Sequence, residues 1–174
     1  MNGGVLNILS QLDGEHGFVS LVIACREDGI WLPLGGESLH RLSFADDRVW
    51  AVVALAPWDG EVLGSGLAEV AIPVAVIGAE LDTVTPWDSV VRPIYDQLPE
   101  ENRYLAEILK SGHGSFIGVC ALAGDFEGCG DGYRPVAEVN EFTQMATVNF
   151  FDVARGVSGA EAYWPPAYTD VNWQ

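Results

Sequence analysis

The chain has 174 residues, 49% of them hydrophobic and 19% charged, the balance of one folded domain able to bury a core. Eight Lys and Arg stand against 25 Asp and Glu for a formal charge of -17, which repels nucleic acid and anionic membrane and argues against both as partners. No apolar run reaches the roughly 18 residues of a membrane span, and the acidic excess reads as a solvated surface rather than a steering field.

Met1 to Gln11 lacks the basic stretch, apolar stretch and small-residue cleavage site of a secretory signal, which leaves localisation open. Phe18 to Cys25 is short, rich in Val, Leu and Ile, and bounded by Gly17 and Arg26-Glu27-Asp28, the pattern of a buried strand. A second short run, Ile30 to Leu34, leads into Gly35-Gly36. Val49 to Ala56 ends at Pro57 and Ile72 to Ile77 ends at Gly78, and both predict parallel-sheet strands. Val90, Val91, Ile94, Tyr95 and Leu98 recur at helical spacing, with Pro93 predicting a kink and Pro99 a stop. Tyr104 to Leu109 predicts a further strand.

Strand, crossover, strand, helix, strand implies right-handed parallel pairing with helices on both sheet faces, hence an α/β fold. Past it lie a Gly-rich, Cys-bearing loop from Gly124 to Gly132, a helix from Val136 to Ala154 and an irregular, docked tail from Tyr163 to Gln174. No repeat or linker divides residues 1–174, which predicts a single domain. About five strands are readable, and so small a sheet exposes an edge that predicts a homodimer or larger assembly.

In an open α/β sheet, reactive residues gather just past the carboxyl ends of the strands. Asp82 follows one predicted strand through Gly78-Ala79-Glu80-Leu81, and His113 follows the next through Ser111-Gly112. A single His after a strand is most often structural. The pair carries more, because acid before base is the chain order of a nucleophile, acid, base triad. In such a triad neutral imidazole takes a proton from a hydroxyl while the carboxylate holds its tautomer and stabilises the imidazolium.

Ile72-Pro73-Val74 through Gly78-Ala79-Glu80-Leu81-Asp82-Thr83-Val84-Thr85-Pro86, then Pro93-Ile94-Tyr95-Asp96-Gln97-Leu98-Pro99 and Ser111-Gly112-His113-Gly114-Ser115-Phe116, closely resembles the predicted dienelactone hydrolases. The bacterial cutinases and polyester hydrolases look like slightly more distant relatives. Ala54-Leu55-Ala56-Pro57-Trp58 matches the strand that precedes the acid strand, where the resemblance implies that Trp58 lines an ester pocket. Cys120 and Gly124-Asp125-Phe126-Glu127-Gly128-Cys129-Gly130 match the dienelactone-hydrolase side. The likeness runs from about Gly35 to the tail, with residues 1–34 atypical. It implies the C-terminal part of an α/β-hydrolase domain, truncated at its start and cleaving carboxylic esters of small or polymeric substrates. No cofactor or metal is implied.

Two readings of the nucleophile compete. Such families place Ser in G-x-S-x-G, a sharp turn whose glycines allow close backbone approach. Gly36-Glu37-Ser38-Leu39-His40 is the nearest match, with His40 at the second Gly position. Alternatively Gly35-Gly36 is the pair that follows the nucleophile, Glu37 to Ala45 is the next helix, and Pro33 stands where Ser belongs. The second alignment gives the better spacing to Val49, although helix lengths of about two and about two and a half turns separate the readings weakly. Ser38 is the best available hydroxyl, with the N–H of Leu39 as its oxyanion donor. Otherwise Ser38 is a helix-start cap, for which Ser is well suited.

Cys120 and Cys129 are close enough for one local disulfide, aided by Gly128 and Gly130, which leaves Cys25 alone. Asp125, Glu127 and Asp131 suggest calcium, yet Val136 stands where an EF-hand has its bidentate Glu. Trp87 and Tyr95 are core aromatics sooner than an acyl pocket, and His16 and His40 have no metal spacing. The leading expectation is a serine esterase using Ser38, His113 and Asp82; its rival is a folded remnant that serves as a binding or assembly module.

Overall fold

The structure, a computed structural model, describes residues 5–8, 20–25, 49–58, 64–122 and 124–174. Runs of Val, Ile, Leu and Ala supply the strands, since branched and aliphatic side chains fit a pleated, covered surface. In chain order they are β1 (Val5–Ile8), β2 (Ser20–Cys25), β3 (Val49–Leu55), β4 (Val74–Ala79), β5 (Arg103–Ile108) and β6 (Val171–Trp173), six strands among the described residues, side by side in that order in one sheet.

β3, β4 and β5 are parallel neighbours, with Ala54 opposite Val76 and Val76 opposite Leu105. β2 runs antiparallel to β1 and β3, and β6 antiparallel to β5. Four of the six strands, β1, β3, β4 and β5, therefore point one way, and the sheet is mixed but mostly parallel. The strand expected at Phe18 to Cys25 is present as β2 and pairs antiparallel with both neighbours. An unbroken apolar run records burial on both faces and carries no sign of strand direction. The tail is docked as expected, although its end forms β6 rather than irregular chain. The short apolar run Ile30 to Leu34 and the helix that the second alignment puts at Glu37 to Ala45 lie outside the described residues.

Helices cover both faces. A π-helical turn, Trp87–Val91, passes into α1 (Arg92–Gln97). Pro93 stands in the first turn of α1, where its missing N–H costs no internal bond. The long α2 (Val136–Ala154) lies on the opposite face. Alternation along the strands sorts the two cores. Ala75 and Ile77 join Ala51, Val53, Ala106 and Ile108 under Val139, Phe142, Ala146 and Phe150 of α2. Val74, Val76 and Leu105 join Leu67, Val91, Ile94 and Leu98 on the α1 face. Alanine at 51, 75 and 106 leaves room for the rings of α2, and each fully buried Phe contributes about 1.5–3 kcal/mol.

The start of β5 is fixed by Arg103. Its Nη1 donates to the carbonyls of Tyr95, Asp96 and Leu98, each at 3.0 Å, and its guanidinium sits 4.4 Å from the Tyr95 ring centroid. One side chain thereby satisfies the last carbonyls of α1 and holds the strand that leads to His113.

Candidate active site

Because β3, β4 and β5 are parallel, the residues that follow them, Trp58, Asp82 and His113, come to one edge of the sheet. The loops after β4 and β5 are tied together there. Glu80 N–H donates to the Ile108 carbonyl at 3.0 Å and Leu81 N–H to the Ser111 carbonyl at 2.9 Å. Lys110 N–H donates to the Glu80 carboxylate at 2.8 Å.

Asp82 folds its own loop. Its Oδ1 accepts the N–H groups of Val84 at 2.8 Å and Thr85 at 2.7 Å, the local turn that Asp favours. The other oxygen, Oδ2, accepts the Thr85 hydroxyl at 2.7 Å and faces His113 Nδ1 at 2.9 Å. Asp82, His113 and Thr85 are 4%, 3% and 0% exposed. Burial pushes the Asp82 carboxyl up, but the hydrogen bonds it accepts from His113 and Thr85 outweigh it and hold the group below the ordinary carboxylate value. An ionised carboxylate only accepts, so its His113 partner must carry hydrogen on Nδ1. That leaves the Nε2 lone pair free to take a proton, and no described residue hydrogen-bonds Nε2.

His113 opens a 3-10 turn, His113–Phe116, after Lys110 in left-handed conformation at φ 57°. The loop from Gly124 to Gly132 backs it closely. A Cβ at Gly112 would stand 2.6 Å from a Glu127 carboxylate oxygen, and Gly128, at φ +89°, would bring one within 2.9 Å of the Gly114 and Ser115 nitrogens. Only glycine permits this approach. The Ser115 hydroxyl donates to the Gly128 carbonyl at 2.9 Å, and Gly114 N–H to the Glu127 carbonyl at 2.9 Å. Cys120 and Cys129 form the expected disulfide, with Cα atoms 5.4 Å apart.

Two polar residues of the site carry no role in the sequence reading. Thr85 is recognisable only as a hydroxyl three residues after an Asp, a common local turn pattern. Glu127 attracts notice as a calcium ligand, but its carboxylate accepts the N–H groups of Thr83 at 3.0 Å and His113 at 2.6 Å. Among the described residues no group of three or more His, Cys, Asp or Glu is placed to hold a metal ion. Trp87 packs beside Gly78 and Val91, and Tyr95 lies under Arg103, both against the core on the α1 face. Ser38 and Leu39 lie outside the described residues, as do Pro33 and Gly35-Gly36.

A buried acid and base on adjacent parallel strands of a mixed sheet, with helices on both faces, is the arrangement of an α/β-hydrolase. The family model described as PETase, PET hydrolase-like, matches residues 17–122. That is more than half of the chain, and the chain belongs to this PET hydrolase-like family. Cutinase 2 of Thermobifida cellulosilytica is 35% identical over 66 residues, covering 38% of this chain and 24% of its own. Cutinase cut1 of Thermobifida fusca is 35% identical over 66 residues, with 38% and 20% covered, and Cutinase est1 of Thermobifida alba is 32% identical over 66 residues, with 38% and 21% covered. The matched stretch thus spans a quarter or less of these curated relatives.

Proposed function

We propose that the chain is a serine ester hydrolase of the cutinase and polyester-hydrolase kind, with Ser38 as nucleophile, His113 as base and Asp82 as orienting acid. The observation that carries this reading is the 2.9 Å contact of Asp82 Oδ2 with His113 Nδ1 at the carboxyl ends of two adjacent strands. In this scheme Ser38 Oγ attacks the ester carbonyl while its proton passes to His113 Nε2, and Asp82 stabilises the imidazolium. The tetrahedral oxyanion takes the N–H of Leu39. Collapse expels the alcohol with the proton from Nε2, and water, deprotonated at the same nitrogen, releases the acid and Ser38. Trp58 walls the acyl side, and the substrates are small esters or polyesters. No cofactor enters these steps.

His40 at the second glycine position of the elbow favours a second reading, a hydrolase remnant that binds or assembles without acylating. A misplaced oxyanion donor costs about 3 kcal/mol, or about a hundredfold in rate, so slow turnover is expected. The deciding experiment is hydrolysis of p-nitrophenyl butyrate by the parent chain, Ser38→Ala and His113→Ala. Slow turnover lost in both variants supports the triad. Turnover unchanged in Ser38→Ala removes Ser38 from it, and no parent rate above buffer favours the remnant.

A further inference from the structure

We propose that Glu127 is a positioning residue that clamps the loop of the acid to the loop of the base and sets the reach between Asp82 and His113. Its two carboxylate oxygens take one backbone N–H from each loop: Oε1 from Thr83, the residue after Asp82, and Oε2 from His113 itself. Both donors are thus within one residue of the groups they align. A carboxylate offers acceptors only, and bonds from N–H to an ionised oxygen are roughly twice as strong as neutral ones. The lateral spacing of one carboxyl group therefore limits how far the two loops can part.

The clamp is itself anchored from behind. Gly114 N–H holds the Glu127 carbonyl, the Ser115 hydroxyl holds the Gly128 carbonyl, and the Cys120–Cys129 disulfide closes the loop on the far side. Gly112 and Gly128 let the two backbones approach closely enough for Glu127 to reach both amides. The kinetic part of this inference rests on the ester-hydrolase reading, whereas the geometric part does not.

Glu127→Gln tests it, because the amide retains one acceptor and turns a donor toward the other N–H. The low-field Nδ1–H resonance of His113, assigned by its loss in His113→Ala, reports the bond to Asp82 directly. In folded Glu127→Gln that proton should exchange about ten- to a hundredfold faster than in the parent, and kcat on p-nitrophenyl butyrate should fall about tenfold with KM unchanged. Glu127→Ala should fall further. Cys120→Ser with Cys129→Ser, which frees the loop while keeping the carboxylate, should move the resonance the same way. In the parent, the amides of Thr83 and His113 should exchange slowly. The proposal fails if folded Glu127→Gln or folded Glu127→Ala leaves the His113 resonance and its exchange unaltered, or if those two parent amides exchange as fast as exposed ones. A parent without esterase activity would overturn the hydrolase reading alone, since the resonance and exchange measurements need no substrate.

Discussion

Replacing Asp82 by Asn separates what the carboxylate does for the fold from what it does for the base. Asn can keep an oxygen toward the N–H groups of Val84 and Thr85, the bonds of 2.8 and 2.7 Å, while its NH2 takes the place of Oδ2. At that place two donors, the Thr85 hydroxyl at 2.7 Å and His113 Nδ1 at 2.9 Å, then meet a third. The hydroxyl can rotate, and the imidazole can move its hydrogen to Nε2, so both contacts survive as neutral bonds. Each loses its charge assistance, about 1 kcal/mol apiece, and part of this is returned because no charge is left buried. The expected loss of stability is about 1–2 kcal/mol. The consequence for a base is far larger, since an imidazole bearing hydrogen on Nε2 cannot accept a proton there. A wrong tautomer of this kind costs about ten-thousandfold in kcat, equivalent to about 5.5 kcal/mol. Ester turnover, a urea titration and the 15N shifts of labelled His113 measure the three quantities on one preparation. A folded Asp82→Asn chain with turnover within about tenfold of the parent, or with hydrogen still on Nδ1, would refute the reasoning.

Thr85→Val removes a buried hydroxyl that donates to Asp82 at 2.7 Å and should destabilise the chain by about 1.5–3 kcal/mol in urea, with Thr85→Ser restoring most of it. The Asp82 carboxyl is held below its ordinary value in the folded chain, so its contribution is full above the unfolded value of about 3.9 and is lost as pH falls from there through the folded value. Thermal midpoints should accordingly drop more steeply across that acid window in the parent than in Asp82→Asn. Closing a loop between Cys120 and Cys129, nine residues apart, is worth roughly 2–3 kcal/mol in the chain-entropy account, so the paired Ser variant should unfold at correspondingly lower urea. Thiol counting on unfolded, unreduced parent should find one reactive Cys, namely Cys25.

Which parts of this fold are legible in the sequence follows from the range of the forces involved. β3, β4 and β5 and the bounds of α2 are readable because burial on a face writes itself as local runs and spacing, as in Val49 to Leu55 or Val139, Phe142, Ala146 and Phe150. Asp82 and His113 are readable because both follow such runs at the end of the sheet where loops gather. The antiparallel direction of β2 is not, since Leu21, Val22 and Ile23 would be equally apolar in either direction. Three residues are too few to mark β6 by alternation, and only pairing with β5 makes it a strand. Glu127 acts through two hydrogen bonds whose partners lie 14 residues away at His113 and 44 away at Thr83, and the Thr85 hydroxyl matters only because Asp82 faces His113. No local pattern announces the contacts of Glu127, and the Asp-turn pattern at Thr85 is too common to mark a site. The elbow stays ambiguous for the opposite reason, because a five-residue motif with His40 in place of glycine leaves two alignments of similar length.

β6 places the tail of the chain directly against the strand that leads to the base. Gln174 exchanges both backbone bonds with Leu105, at 2.9 and 3.2 Å, and Trp173 and Trp164 roof the rings of Phe142, Phe150 and Tyr104. A three-residue strand is held by few bonds and opens more readily than the longer strands of the core. When it lifts, β5 becomes a bare sheet border, open to a neighbouring molecule's strand, and an aromatic roof comes off the core. Gln174 is held in the sheet by backbone bonds. A load applied at Gln174 would pull on β6 and, through its bonds to Leu105, on the start of β5, whereas solvent-facing positions on α2 would carry a label without that leverage.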